Sequence, residues 1–287
     1  MNIKVVGIDL AKNIFQVCIL LEDYSIQSNR KINRTKLLNS LRKLPSGTLV
    51  AMEACGSSHY WARTFINLGL KVKLIPAQHL KPFVANQKND SNDALAICEA
   101  AFRPGIFFVP IKSVEQQDIK SLRCVRSRLI KNRTVTSNQI RSLAGEYGIT
   151  FPVGRLKLKP SLFYVLEDAT NSLTFVLRPL FKRLYDDMSL MDQNIDAIDN
   201  EIKSLCQLHP RYKALLSIPG FGSIVAASFM SEVGTGEQFK NGRQLSAWCG
   251  LVPTQFSSGE KIRLGSITKN GYSELRVLFI YYDLNYK

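Results

Sequence analysis

The chain has no apolar run long enough to cross a membrane. Its longest such stretches, like the one around Val17–Leu21, fall far short of the roughly 20 residues a spanning helix needs. The N-terminus, MNIKVVGIDL, lacks a basic region followed by a long apolar stretch, so no secretory signal is expected. Histidine is scarce, and His59, His79 and His209 stand in no zinc-ligand spacing. The cysteines (Cys18, Cys55, Cys98, Cys124, Cys206, Cys249) are scattered singly, with no CxxC pair. They are expected to be small buried hydrophobes in a reducing cytoplasm. Acids are in the minority: 23 Asp and Glu stand against 38 Lys and Arg, a formal charge of +15. That excess points to a polyanionic partner, nucleic acid first and an anionic membrane surface second; a merely basic housekeeping protein fits it as well. Glycine-rich phosphate loops in two lobes are missing, which argues against a sugar-kinase or actin-like ATPase, although GID at a first strand also opens that fold.

What is present begins with a hydrophobic share of 45% over 287 residues, enough for a real core in two domains or three segments. Lys4–Asp9 and Phe15–Leu21 are apolar, β-branched runs expected as strands, followed by a third over Ile26–Asn33. A helical pattern over Thr35–Leu44 ends at Pro45-Ser46-Gly47. Thr48–Glu53 is a buried-strand run, Ser58–Leu68 a helix stopped by Gly69, Lys71–Ile75 a strand stopped by Pro76, and Asn92–Phe102 a helix. Three antiparallel strands, then helix, strand, helix, strand and helix, is the element order of a ribonuclease H-like α/β domain, expected over residues 1–110.

Residues 111–210 are expected to be helical. Val114 to about Tyr147 carries Arg123, Arg126, Arg128, Lys131, Arg133 and Arg141, and residues 148–160 break it with two glycines and two prolines. Leu177, Phe181, Leu184, Met188, Met191, Ile195, Ile198, Ile202 and Leu205 then alternate spacings of four and three, a coiled-coil seam within the chain or between protomers. An ordinary core helix drifts off such strict periodicity. A last, mainly helical region is expected over residues 211–287.

Three constellations carry chemistry. Asp9 and Glu53 end strands, where sites form in α/β sheets, and Asp90 and Asp93 open a helix on one face. Carboxylates gathered there would repel one another unless hard cations such as Mg²⁺ or Mn²⁺ neutralise them, and two such ions suit phosphodiester chemistry. Taken singly, each acid also fits a cap or a solvated residue, Asp90 especially. SIPGFG, Ser217–Gly222, has the form of a helix-hairpin-helix turn, in which Gly220 and Gly222 let backbone approach a phosphate; a purely structural helical hairpin fits the same residues. In QFSSGEKIRLGSITKNGYSELR, Gln255–Arg276, Ser257, Ser258 and Gly259 are expected to form an exposed turn beside Lys261 and Arg263. A serine among cations can attack a phosphate, and a plain polar loop has the same composition.

Together, GIDLAK, MEACGSSHYWA, KNDSNDALAI, SIPGFG, LSAWCGLVPTQFSSGEK and GSITKNGYSELR resemble the insertion-sequence 110 family, the Piv/MooV-like DEDD transposases or bridge-RNA-guided recombinases. The resemblance covers nearly the whole chain in order. It implies an Asp-Glu-Asp-Asp set in a RuvC-like domain, here Asp9, Glu53, Asp90 and Asp93, holding Mg²⁺ or Mn²⁺. It implies a serine that links covalently to DNA, here Ser258, with Ser257 as the alternative. It further implies a structured guide RNA that pairs with donor and target DNA, and a homo-oligomer, dimer or tetramer, whose site joins the acids of one protomer to the serine of another. Relatives usually continue past GYSELR with more basic helical sequence, whereas this chain stops at LFIYYDLNYK, an ending that fits a natural variant, a trimmed chain or a decaying copy. Two other functions compete: a RuvC-like junction-resolving nuclease, which would need the acids alone, and a truncated nucleic-acid-binding relic without activity.

Overall fold

Alternating apolar residues that are buried on both sides need a sheet covered on both faces. The N-terminal part of the chain builds one. A computed structural model describes residues 2–83, 89–258 and 261–285, with backbone only at residue 155 and at 281–285. The chain divides into two compact units, 1–113 and 114–287.

In the first unit the strands are β1 (Ile3–Asp9), β2 (Ile14–Leu21), β3 (Ile26–Asn33), β4 (Leu49–Glu53) and β5 (Lys71–Ile75), in sheet order β3-β2-β1-β4-β5. β1, β2 and β3 are antiparallel neighbours, and β4 and β5 continue parallel to β1. One face packs Val6, Ile8, Phe15, Val17 and Met52 under α1 (Arg34–Leu41) and α2 (Ser58–Asn67), with Trp61 edge-on to Phe15 at 5.2 Å. The other packs Val5, Cys18, Leu20, Ala51 and Ile75 under α4 (Asp90–Ala100) through Ala94, Ile97 and Cys98. A short α3 (Ala77–Leu80) lies between β5 and α4 in sequence. At Gly7 the helix α4 lies against the sheet with no room for a side chain. A Cβ there would stand 2.5 Å from both the Ala94 carbonyl oxygen and the Cys98 sulfur.

The second unit begins with α5 (Val114–Gly145) and α7 (Leu177–Gln207), which run antiparallel. Arg126 meets Asp199, and one heptad further along α5 Arg133 meets Asp192, one heptad back on α7. The seam expected on α7 is asymmetric. Phe181, Met188, Ile195 and Ile202 are buried, whereas Leu184, Met191 and Ile198 are half-buried and Leu205 is exposed. Between them α6 (Arg155–Glu167) starts inside the stretch expected to be broken, with Pro160 in its body. An internal proline costs roughly 3 kcal/mol. Burying Leu158 and Leu162 returns roughly 1.5–3 kcal/mol each, so packing against Ile140 and Phe181 outweighs it.

The helical stretch 114–210 shares a core with the C-terminal helices. Ile119, Ile202 and Cys206 pack against Tyr212 of α8 (Tyr212–Leu216) and Ala226, Ala227 and Met230 of α9 (Ser223–Val233). Beyond α10 (Gly242–Trp248), β6 (Pro253–Gln255) pairs with β7 (Leu264–Ile267) in a hairpin, and α11 (Ser273–Asn285) closes the described chain. The WCG and NGY stretches interlock there. Trp248 stacks on Tyr272 at 5.1 Å, Gly271 sits where a Cβ would strike the Trp248 carbonyl at 2.1 Å, and Arg276 donates to the carbonyls of Cys249 and Lys269.

Of the cysteines, Cys18, Cys98, Cys206 and Cys249 are buried as expected, but Cys55 and Cys124 are exposed. Among the described residues no helix is long and apolar enough to cross a membrane.

Candidate active site

The strand registers align four polar side chains in one row. Asp9 pairs with Gln16 on β2, and Gln16 pairs with Lys31 on β3. On the other side Ile8 pairs with Met52, so the next step of that parallel register sets Asp9 beside Glu53. Cross-strand partners point to the same face, and this face is the one that carries Gly7, Cys18 and α4. The row Lys31–Gln16–Asp9–Glu53 therefore lies at the strand ends, on the α4 side of the sheet.

The charges of Asp9 and Glu53 also bear on Cys55, just past the end of β4. Although the residue is exposed overall, the Cys55 thiol is held above its ordinary pKa first by partial desolvation from the groups around it, and then by the negative charges of Glu53 and Asp9.

Asp90 and Asp93 lie in the first turn of α4, where the helix dipole favours negative charge. Asn89 is the N-cap, its Oδ1 accepting from the Asn92 amide at 2.8 Å, so Asp90 is not the capping residue. The Asp90 carboxylate pairs instead with Lys31 Nζ at 3.0 Å, with both side chains largely exposed. Two further contacts fix this end of the helix. Asn29 Nδ2 donates to the Ser91 carbonyl at 3.0 Å, and Gln16 Nε2 donates to Asn29 Oδ1 at 2.6 Å. Gln16 is buried, and its Oε1 has no partner among the described residues.

The structure thus brings Asp9 and Glu53 together and sets Asp90 and Asp93 on the helix packed over the same face. It does not draw all four into one cluster. Among the described residues no group of three or more His, Cys, Asp and Glu is gathered to hold a metal ion. Mg²⁺ characteristically takes one or two carboxylates and completes its octahedron with waters and substrate phosphates. An adjacent Asp9–Glu53 pair fits that share, and its oxygen donors suit a hard cation.

The serine segment is a β-hairpin rather than a plain loop. Ser257 Oγ is engaged within it, accepting from Gln255 Nε2 at 3.0 Å and from the Arg263 amide at 3.3 Å. Ser258 is exposed, its carbonyl accepts from the Lys261 amide at 3.3 Å, and its hydroxyl has no partner among the described residues. Lys261 and Arg263 are exposed, and Gly259 lies outside the described residues. The Ser217–Gly222 turn joins α8 to α9 as its sequence suggests. Gly220 takes the left-handed φ of +85°, and Gly222 caps α9 with no side chain on the helix's first amides.

The basic helix reads differently in three dimensions. Arg123 and Arg133 are buried, and Arg126 and Arg141 are also engaged internally. Arg123 donates to Ser231 Oγ at 2.7 Å and to Glu274, beside the buried Glu232. Arg133 pairs with Asp192, and Arg141 donates to the carbonyls of Phe151, Pro152 and Gly154. Only Arg128 and Lys131 of the six cations named there stand exposed without a partner among the described residues. The Tyr272 phenol, close to the same network, is pushed up by burial and then by Glu232.

Two family profiles match this sequence. One, described as a transposase profile of the DEDD type for IS110, covers residues 6–149, the sheet and α4 included. The other, described as "Transposase IS116/IS110/IS902 family", covers residues 212–282 and with them the serine hairpin. This chain belongs to the IS110 family of transposases. It is 40% identical over 282 residues to a probable family 20 transposase of Pseudomonas aeruginosa, covering 98% of this chain and 83% of that protein. Identity is also 40% to the transposase for insertion sequence element IS1111A of Coxiella burnetii, over 98% of this chain and 77% of the relative. It is 35% to the transposase for insertion sequence element IS1328 of Yersinia enterocolitica, over 97% and 82%. The alignments span both units of this transposase, so neither the acid-bearing sheet nor the serine hairpin is an appendage peculiar to it.

Sequence patterns missed Gln16, Asn29 and Lys31. One signal was available: Gln16 is the single polar residue in the strand IFQVCILL. A polar side chain inside a doubly covered strand needs partners, and here those partners hold α4.

Proposed function

We propose that this transposase cuts and rejoins DNA by metal-assisted phosphoryl transfer in a ribonuclease H-like, RuvC-like domain, with Asp9, Glu53, Asp90 and Asp93 as the acid set and Ser258 as the nucleophile. The observation that carries the proposal is the cross-strand row ending in Asp9 and Glu53, with the first turn of α4 packed over the same face. Asp9 and Glu53 would hold Mg²⁺ or Mn²⁺, with Asp90 and Asp93 completing the set. A bound divalent ion supplies Lewis-acid stabilisation of the charge that builds on the phosphate.

The chain's own residues do the rest. Ser258 Oγ forms a bond to phosphorus while the phosphodiester bond to the departing DNA oxygen breaks, and the hydroxyl proton ends on that oxygen. The phosphodiester energy is conserved in the protein–DNA linkage, so rejoining is the same step run onto a new DNA hydroxyl. Lys261 and Arg263 offset the added negative charge. Engagement of the Ser257 hydroxyl within the hairpin favours Ser258 over its neighbour. The first amides of α9, after Gly222, carry no side-chain cap and offer donors to a DNA or RNA backbone. Family membership supports extending the reading to a structured guide RNA, and to a homo-oligomer in which the acids of one protomer and the serine of another act on one phosphodiester.

The test is a trapped reaction. A protein–DNA adduct mapping to the peptide Gln255–Lys261, lost in Ser258→Ala and never formed by Asp9→Asn, is the expected result. An adduct that persists in Ser258→Ala moves the nucleophile to Ser257. Strand transfer with no adduct under any condition overturns the serine chemistry, and normal cutting by Asp9→Asn overturns the role of the acids.

A further inference from the structure

The hairpin that carries Ser258 exposes more apolar surface than its own packing explains. Phe256 is 71% exposed, Ile262 75% and Leu264 63%. Phe256 lies two residues before the serine, whereas Ile262 and Leu264 alternate with the exposed cations Lys261 and Arg263 along the returning chain and pair on the Gln255 side, away from Phe256. An exposed aromatic ring on the same face as a guanidinium suits an occupant that offers a π-face and negative charge together.

The backbone pairing shows how the surface is composed. The Phe256 amide donates to the Arg263 carbonyl at 2.8 Å, which makes these two cross-strand neighbours whose side chains share a face. Gly265, two residues past Arg263, lies on that face as well. A Cβ there would strike Thr254 Oγ1 at 2.4 Å and touch the Phe256 ring at 3.6 Å. The phenyl ring therefore leans over a bare glycine with Arg263 beside it, one residue from Ser257 and two from Ser258. A base offers a π-face to an aromatic ring or a guanidinium, and its phosphate offers charge to a neighbouring cation.

We propose that Phe256, with Arg263, stacks on an unpaired base next to the phosphate presented to Ser258, so that this face of the hairpin grips single-stranded nucleic acid. The proposal rests on the hairpin being the serine-bearing part of the site, but it concerns binding and does not require Ser258 to be the nucleophile. Phe256 acts as a positioning residue: it holds a base so that the adjoining phosphate meets the serine.

The probe is a single-stranded dT20 carrying one central 2-aminopurine, titrated with the full-length chain, with protein mass followed in parallel on a sizing column. Stacking on Phe256 should quench the fluorophore. Phe256→Ala should abolish the quench and weaken binding by roughly 5- to 150-fold, the range for loss of one base–aromatic stack. Phe256→Trp should restore both, which a merely structural role would not allow. Failure of the serine chemistry is read separately, by the protein–DNA adduct, and leaves this binding result standing. If Phe256→Ala binds and quenches normally, the proposal is wrong. If Phe256→Ala elutes as a smaller species while probe binding is unchanged, the face serves a second copy of the chain and the proposal is equally overturned.

Discussion

Gln16 Nε2 donates to Asn29 Oδ1 at 2.6 Å, and through Asn29 it ties the β2–β3 pair to the first turn of α4. Gln16 is also the register partner of Asp9. One buried amide therefore links the strand that ends in the first acid to the helix that begins with the last two. Losing a hydrogen bond of this kind costs roughly 0.5–1.5 kcal/mol. Asn29→Ala is predicted to speed amide exchange at Asn92 and Asp93 by about 2- to 10-fold and to weaken Mn²⁺ binding, with little change in global stability. Unchanged exchange at those two amides would show that α4 is held by its apolar face alone.

Gly7 leaves no room for a side chain. A Cβ there would stand 2.5 Å from the Ala94 carbonyl, which is backbone and cannot swing away. Overpacking of this sort costs roughly 1–3 kcal/mol. Gly7→Ala is predicted to lower Tm by about 4 °C or more and to weaken Mn²⁺ binding, because α4 must move off the sheet. Gly56→Ala, where nothing lies within 4 Å, is the control and should leave both unchanged.

How far these features are legible in sequence depends on what enforces them. β1, β2 and β4 are visible because burial on both faces demands apolar runs; Ile26–Asn33 and Lys71–Ile75 are also found as expected, although β3 is polar and largely exposed. Asp9 and Glu53 stand out because they terminate such runs. Lys31 does not, since its place beside Asp90 depends on strand register, which no local pattern states. The start of α4 at Asp90 was hidden in the same way: Asn89 rather than an acid supplies the cap. The arginines of α5 misled most. Arg123 and Arg133 look like a basic surface in sequence, yet their partners Glu232, Glu274, Ser231 and Asp192 are far along the chain. Pro160 suggested a break, and only the distant Ile140 and Phe181 decide otherwise.

Asp192 gives the α5–α7 pair a pH dependence. Burial raises its pKa, but hydrogen bonds and charges from Arg133 and Lys159 outweigh that and leave the carboxyl below its ordinary value. A depressed folded-state pKa contributes stability that is full above the unfolded carboxylate value, near pH 4, and lost as pH falls through the lower folded value. Thermal melts should therefore weaken below about pH 4. Asp192→Asn should flatten that slope. At neutral pH it should also destabilise by roughly 1–3 kcal/mol, because Arg133 is left buried without its carboxylate. An identical acid profile in Asp192→Asn would place the dependence elsewhere.

Nucleic-acid binding should separate the cations of α5 into two classes. Each phosphate neutralised contributes about 0.7–0.9 to the slope of log affinity against log salt. Arg128 and Lys131 are exposed on the helix, whereas Arg123 and Arg133 are buried against acids of their own unit. If the exposed pair contacts the backbone, Arg128→Ala and Lys131→Ala should each reduce the slope by nearly one while leaving Tm unchanged. Arg123→Ala should do the reverse. It removes the donor to Ser231 and the charge facing Glu232 and Glu274, so stability falls while the salt slope of whatever remains folded stays the same. The sign of the result is what matters. A drop in slope for Arg123→Ala without loss of stability would mean that the buried network opens to meet nucleic acid. Unchanged slopes for both exposed positions would move the electrostatic footprint off α5, leaving Lys261 and Arg263 on the hairpin as the next cations to test.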